Sequence, residues 1–430
     1  MTAQRIHIQG GHLIDPANNI DSDNDVWIAD GKIAAIGKAP NGFTADQVID
    51  ASNRVVCPGL IDLSARTREP GQSDKATIAS ETRAAASAGI TTLVCPPDTN
   101  PVIDSAAVVE LIHHKARESN CSRLLTLGAL TRGLGGETIT AMHTLKGAGV
   151  VGMSNASQPV RNALVLSRAL EYAATQDLTV FIRPDEPDLS QGGCVHEGPL
   201  ATRMGLPGIP EAAETVAVAK TLELIEKTGA RAHFSQLSTA RAAHMIARAR
   251  HDGLKVTADV AVHHLYLTEV DIRNFDSACH LLPPLRSEQD RDGLRESISN
   301  GMIDAICSDH QPHEPDAKQA PFPDTAPGLS GLDTLLPLVL RLADERLLSL
   351  SDAIRAVTRT PAAILGLDSG YLSTGSTADL CIFNPAESWF VSTDSLQSNG
   401  HNTPFMGWEM HGRATHTLVD GHIKFCNQDD

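Results

Sequence analysis

Apolar and polar positions along this chain fall into three regimes. Between residues 5 and 57, short runs of alternating apolar and polar character (RIHIQGG, VWIADGKIAAIG, VIDASNRVVCPG) are broken by Gly, Asp and Asn, the pattern of brief strands joined by turns. The C-terminal stretch reads the same way, with ADLCIFNP followed by GRATHTLVDGHIKF. Asp30-Gly31 and Asp420-Gly421 are two-residue hairpin signals, since both positions of such a turn need positive φ. Two strand-rich ends around a different middle predict one small β domain built from residues 1–57 and 367–430.

From residue 58 to 366 the period changes. Short β-branched or apolar runs alternate with Ala-rich stretches of helical period. The strand candidates are 60–63, 91–95, 124–130, 150–153, 178–182, 231–235, 255–260 and 303–308, eight in all. Helix candidates between them include KATIASETRAAASAG, ended by Gly89, and IPEAAETVAVAKTLELIEKTG, ended by Gly229. Count, period and length predict a (β/α)8 barrel of the TIM type, an α/β fold.

Composition narrows the function classes. The 430 residues carry a net charge of -17 and only 3% aromatics, which leaves no basic footprint or stacking platform for nucleic acid. Eight scattered cysteines without a CxxC pair read as small buried hydrophobes in a reducing compartment. The opening MTAQRIHIQGG has no basic stretch leading into an apolar core, and no apolar run approaches membrane-spanning length. These features predict a soluble cytoplasmic protein with no membrane contact.

Candidate chemistry belongs at the C-terminal ends of the barrel strands. The first strand runs into Pro58-Gly59-Leu-Ile-Asp-Leu-Ser64-Ala-Arg66-Thr-Arg68-Glu69-Pro70-Gly71. Later ends read Ser154-Asn155-Ala156-Ser157, then RPDEPDLSQGG from Arg183, His233-Phe-Ser-Gln236-Leu-Ser-Thr239, and Ser308-Asp309-His310-Gln311-Pro312-His313. With Pro283-Pro284-Leu285-Arg286, Ile303-Asp304 and Asn402-Thr403-Pro404-Phe405, these motifs resemble the dihydroorotases, of the longer bacterial type, within the wider cyclic amidohydrolases. The resemblance spans almost the whole chain and implies an amidohydrolase barrel with a small β-sandwich domain.

What the resemblance implies for the site is a set of departures. The family's first-strand HxH pair falls on Ser64 and Arg66, its bridging aspartate on Asn155, the fifth-strand histidine on Arg183 and the second sixth-strand histidine on Gln236. Asp309 alone retains the family's metal ligand and proton shuttle. Arginine is cationic at any relevant pH and has no lone pair to give, so two of these positions would repel a metal. Arg68 matches the arginine that grips the substrate carboxylate, but the family's two substrate-binding asparagines fall on Asp98 and Leu282. His313 completes this vestigial substrate-binding set. Arg66 and Arg183 are expected inside the old metal pocket, replacing the lost cations and pairing with Asp309. Arg68 is expected either to keep the family position or to form an ion pair with Glu69 or another acid. His310 and His313 are expected to make structural hydrogen bonds, with a residual phosphate, water or small-anion contact as the alternative, and the pairs His113-His114 and His263-His264 to point apart.

The implied protein binds no cofactor or metal and is catalytically silent. It resembles the metal-ligand-deficient dihydroorotase homologues that are required structural partners of the aspartate carbamoyltransferase catalytic chain in hetero-oligomers of pyrimidine biosynthesis, with self-association also open. Two alternatives stand beside it: an active cyclic amidohydrolase of dihydroorotase or hydantoinase type with an atypical metal site, and a sensor that keeps a ligand pocket without chemistry.

Overall fold

The computed structural model describes residues 5–427, and the two composite-domain tips beyond these limits lie outside the described residues. The N-terminal strands β1 (Ile6–Asp15), β2 (Ile20–Ala29), β3 (Lys32–Ile36), β4 (Gln47–Asp50) and β5 (Val55–Pro58) precede the barrel. The barrel strands are β6 (Leu60–Asp62), β7 (Ile90–Cys95), β8 (Arg123–Ala129), β9 (Gly152–Ser154), β10 (Val180–Ile182), β13 (Ala232–Phe234), β14 (Val256–Ala261) and β15 (Ala305–Cys307). A short parallel pair, β11 (Val195–His196) and β12 (Gly208–Ile209), interrupts them, and β16 (Leu380–Phe390), β17 (Glu409–Val419) and β18 (His422–Cys426) close the chain.

Both ends do meet in one sheet, ordered β18-β17-β16-β5-β1-β2-β3, with β4 on β1. β5 is the seam: it pairs antiparallel with β16 (Cys57 opposite Cys381) and parallel with β1 (Val55 opposite His12). Alternation buries Ile6 and Ile8 of β1, Val26 and Ile28 of β2, and Leu380 and Ile382 of β16 on one face. Each such side chain contributes about 2 kcal/mol relative to exposure. The two Asp-Gly signals are both turns, with positive φ at Asp30 (56°), Gly31 (75°), Asp420 (52°) and Gly421 (72°). They also touch each other. A Cβ on Gly421 would lie 2.5 Å from the Gly31 Cα, so only glycine permits this contact between the N- and C-terminal halves.

The barrel strands are all parallel, in the order β15-β14-β13-β10-β9-β8-β7-β6. The closing seam between β15 and β6 is made by other means. The Asp62 carboxylate accepts from the Ser308 N–H (2.9 Å) and hydroxyl, and above it His310 N–H donates to the Ser64 carbonyl (3.1 Å) and Arg66 N–H to that of His310 (2.9 Å). Burial pushes the Asp62 carboxyl up to about 6. This seam fixes the loops after β6 and β15 side by side, which places Ser64, Arg66 and Asp309 in one patch. The helix Ile78–Ser87 starts on a capping box, Thr77 with Ser80, and the helix Ala212–Thr228 stops at Gly229 (φ 66°).

Candidate functional site at the barrel mouth

Asp309 sits at the centre of the mouth, 4% exposed and with φ 48°. Its Oδ1 accepts from Gln236 Nε2 at 2.7 Å, both its oxygens lie 3.1 Å from Gln311 Nε2, and Arg66 Nη1 stands 3.5 Å away. The same Gln236 amide donates to Ser64 Oγ at 2.7 Å. Its backbone N–H is anchored 2.6 Å from Asp259 Oδ1, which holds it over the mouth at a φ of 58°. Burial pushes the Asp309 carboxyl up to about 6, against the pull of the Arg66 and Arg183 charges.

Arg66 does lie in the pocket, but Asp98 is its shorter partner: Nε donates to Asp98 Oδ2 at 2.9 Å. Burial opposes the charge of Arg66, while Asp98 and then Asp309 outweigh burial and raise its pKa above the ordinary arginine value. The acid at Asp98 is therefore met by an intramolecular cation.

Arg183 corrects one expectation. It is buried at the mouth yet makes no ion pair with Asp309; one Nη donates to the Leu282 carbonyl at 3.1 Å and the other stands 3.7 Å from Asp185. Asp309 Oδ1 is taken by Gln236 and Arg66, and Gln311 bridges both oxygens, while the nearer acceptors of Arg183 are the Leu282 carbonyl and Asp185. Leu282 thus enters the site through its carbonyl. Asn155 is spent locally: Oδ1 accepts from Thr131 N and Oγ1, and Nδ2 donates to the carbonyls of Leu134 and Gln158.

Arg68 keeps its place beside the mouth and forms no pair with Glu69, whose carboxylate instead accepts from Ile78 N–H at the start of its helix and from Lys115. Arg68 Nε donates to the Pro312 carbonyl (2.9 Å) and Nη2 lies 2.9 Å from His313 Nε2. Burial, with Arg66 nearby, lowers Arg68 to about 10. Burial, Arg68 and Lys75 depress His313 to about 3, so its imidazole is neutral. His310 is structural: Nε2 is 2.8 Å from Glu81, and Nδ1 accepts from Gly331 N–H. So is His233, set between Asp259 and Thr257.

The histidine pairs divide. His113 and His114 do point apart, one to Thr126 and the other to Glu118. His263 and His264 do not: their rings lie 4.4 Å apart at 41°. They sit in a 3-10 turn, Val262–Leu265, where successive side chains are 120° apart rather than on opposite faces, and both are packed into the interior.

The structure brings Ser64, Arg66, Gln236 and Asp309 together, and adds Gln311, Asp259 and the Arg66–Asp98 pair, which the sequence reading did not assign. The signal for the pair was present, an acid standing where the family has an amide, opposite a new arginine. As a metal centre the donor set does not fit. The groups facing Asp309 are the amide nitrogens of Gln236 and Gln311 and the Arg66 guanidinium, none of which gives a metal a lone pair, and among the described residues no group of three or more His, Cys, Asp or Glu side chains is placed to hold an ion.

Comparison with known proteins agrees on ancestry. Residues 53–242 match the Dihydro-orotase-like family model. A "Dihydroorotase-like protein" of Pseudomonas aeruginosa is 48% identical over 97% of this chain and 99% of its own, and a "Dihydroorotase" of Geobacter sp. (strain M21) is 40% identical over 97% and 98%. Among solved structures, the L-hydantoinase (dihydropyrimidinase) from Arthrobacter aurescens superposes with a TM-score of 0.88 over 98% of this chain and 96% of that one; at 22% identity it speaks for the barrel fold alone. No helix among the described residues is long and apolar enough to cross a membrane. Fold, site position and relatives over nearly the full length lead to one statement: the chain belongs to the dihydroorotase-like family.

Proposed function

We propose that this protein is a non-catalytic dihydroorotase-like subunit that supports the assembly and activity of an aspartate carbamoyltransferase in the cytoplasmic synthesis of pyrimidines. One observation carries the absence of turnover: the Arg66 guanidinium, clamped by Asp98 and facing Asp309, stands where a ligand lone pair would be needed. Opening or closing a cyclic amide takes an activated water and a polarised carbonyl, work that divalent ions do in this fold. Gln236 and Ser64 supply neither. The partner is proposed on the resemblance to ligand-deficient homologues; in such a role the barrel lends a surface whose binding favours the assembled transferase.

Metal analysis of the purified chain, with a carbamoyl-aspartate cyclisation assay, tests the first half. We expect substoichiometric metal and no turnover; stoichiometric metal with dihydroorotase-like rates refutes it. Co-purification with the same cell's aspartate carbamoyltransferase, followed by sizing and activity with and without this chain, tests the second half. A transferase equally large and active alone removes the partner role. The competing reading, an active cyclic amidohydrolase with an atypical site, draws on the relatives named dihydroorotase at about 40% identity and on the retained Asp309.

A further inference from the structure

Arg183 is the least satisfied cation at the mouth. A guanidinium carries five N–H donors in a planar fork, yet among the described residues this one donates a single hydrogen bond, to the Leu282 carbonyl. Asp185, at 3.7 Å, offsets part of its charge without filling a donor. The side chain is 13% exposed. Burial, and the second guanidinium of Arg66, both work against its charge, with Asp185, Asp309 and Asp98 pulling the other way.

Space opens on both sides of it. Two clefts are each lined by Arg183, Pro184 and Asp185. The first is walled by Val160 and Phe181 together with Asn155 and Lys220, and the second by Ile209 and Pro283 together with Glu214 and Arg286. A concave wall that mixes apolar side chains with a few placed polar groups is the usual build of a small-molecule site.

We propose that Arg183, between these two clefts, is the anchor of a binding site for a small carboxylate bearing a short apolar group. The fork would present two parallel N–H groups to the carboxylate, while the apolar group lies along Val160 and Phe181 or along Pro283. This rests on the reading above that the mouth holds no catalytic metal, and it gives the silent barrel a ligand to respond to.

The test uses the full chain and butanoate as the probe, with butanamide and inorganic phosphate alongside. Arginine modification by phenylglyoxal is mapped by mass spectrometry, with exposed Arg203 as the internal control. Butanoate is expected to slow modification of Arg183 severalfold and to leave Arg203 unchanged, while butanamide protects neither. Calorimetric titration should show butanoate binding that Arg183→Gln abolishes and Arg183→Lys weakens; the protection measurement needs no variant and stands if the variants misfold. Equal modification with and without butanoate overturns the proposal, as does protection by butanamide, or by phosphate alone. Metal content of the same preparation separates the two proposals. A metal-free chain that ignores butanoate sinks only this one, and a metal-loaded chain that turns over sinks the proposed function whatever butanoate does.

Discussion

Glu214, at the start of the helix Ala212–Thr228, and Asp309, after β15, are both buried carboxylates, and they are held in opposite ways. Glu214 accepts from two backbone amides and two hydroxyls of a single turn, those of Ser238 and Thr239, with Arg286 donating to the same Ser238 hydroxyl. Asp309 accepts only from side chains, Gln236, Gln311 and Arg66, which come from separate parts of the mouth. A carboxylate bonded to backbone fixes the path of the chain. One bonded to side chains fixes only their positions, and those side chains can be exchanged without redirecting the backbone. Ser238 and Thr239 therefore shape the barrel, while the residues around Asp309 shape only its mouth.

That contrast breaks first at Glu214. Glu214→Ala strands two backbone amides and leaves the buried Arg286 short of its countercharge. Removing one member of a buried charged network costs about 3–5 kcal/mol, and urea unfolding at pH 7 should show a loss of that size. Glu214→Gln, which keeps one acceptor oxygen, should lose less. A loss at Glu214→Ala smaller than at the mouth would invert the comparison.

Arg66→Met should cost less, about 1–3 kcal/mol at pH 7, because Asp309 can escape its isolation by taking a proton. The sign follows from linkage. The native Asp309 pKa of about 6 lies above the unfolded value of about 3.9, so between these pH values the native state binds more protons and stability falls as pH rises, then levels off above 6. Removing the Arg66 cation raises that pKa further. The penalty of Arg66→Met should then shrink between pH 7 and pH 5, which paired urea titrations would read directly, and carbon-13 carboxyl shifts of Asp309 should move their midpoint upward. A penalty equal at both pH values would assign the whole effect to Asp98.

Much of this was legible in the chain. The eight strands and the two Asp-Gly turns showed because each is a local pattern, and the convergence of Ser64, Arg66, Gln236 and Asp309 followed from barrel geometry once the strand ends were placed. The role of β5 as a seam was not legible, since its pairings, parallel to β1 and antiparallel to β16, are both decided by contacts distant in sequence. Arg183 was misjudged for a related reason. Its acceptor is a backbone carbonyl, and a carbonyl carries no residue-type signal. The close approach of His263 and His264 was missed because alternation was assumed for a segment that turns as a 3-10 helix.

The smallest expected effect sharpens the comparison from the other side. Gln236→His puts an imidazole at the position that the resemblance matches to a family ligand, next to Asp309 and Ser64, without touching any backbone bond of the turn. If the mouth differed from a metal site by that one ligand, zinc should bind. It should not, because the Arg66 guanidinium remains 3.5 Å from Asp309 and one imidazole with one carboxylate falls short of the three protein ligands that a catalytic zinc ordinarily takes. Zinc titrated into Gln236→His and read by mass spectrometry of the intact protein should therefore match the unaltered chain, with stability within about 1 kcal/mol once the hydrogen bonds to Ser64 and Asp309 are lost or remade. Stoichiometric zinc in this single variant would mean that the guanidinium swings aside at little cost. The clamp between Asp98 and Asp309 would then be an adaptable contact rather than the barrier to metal described above.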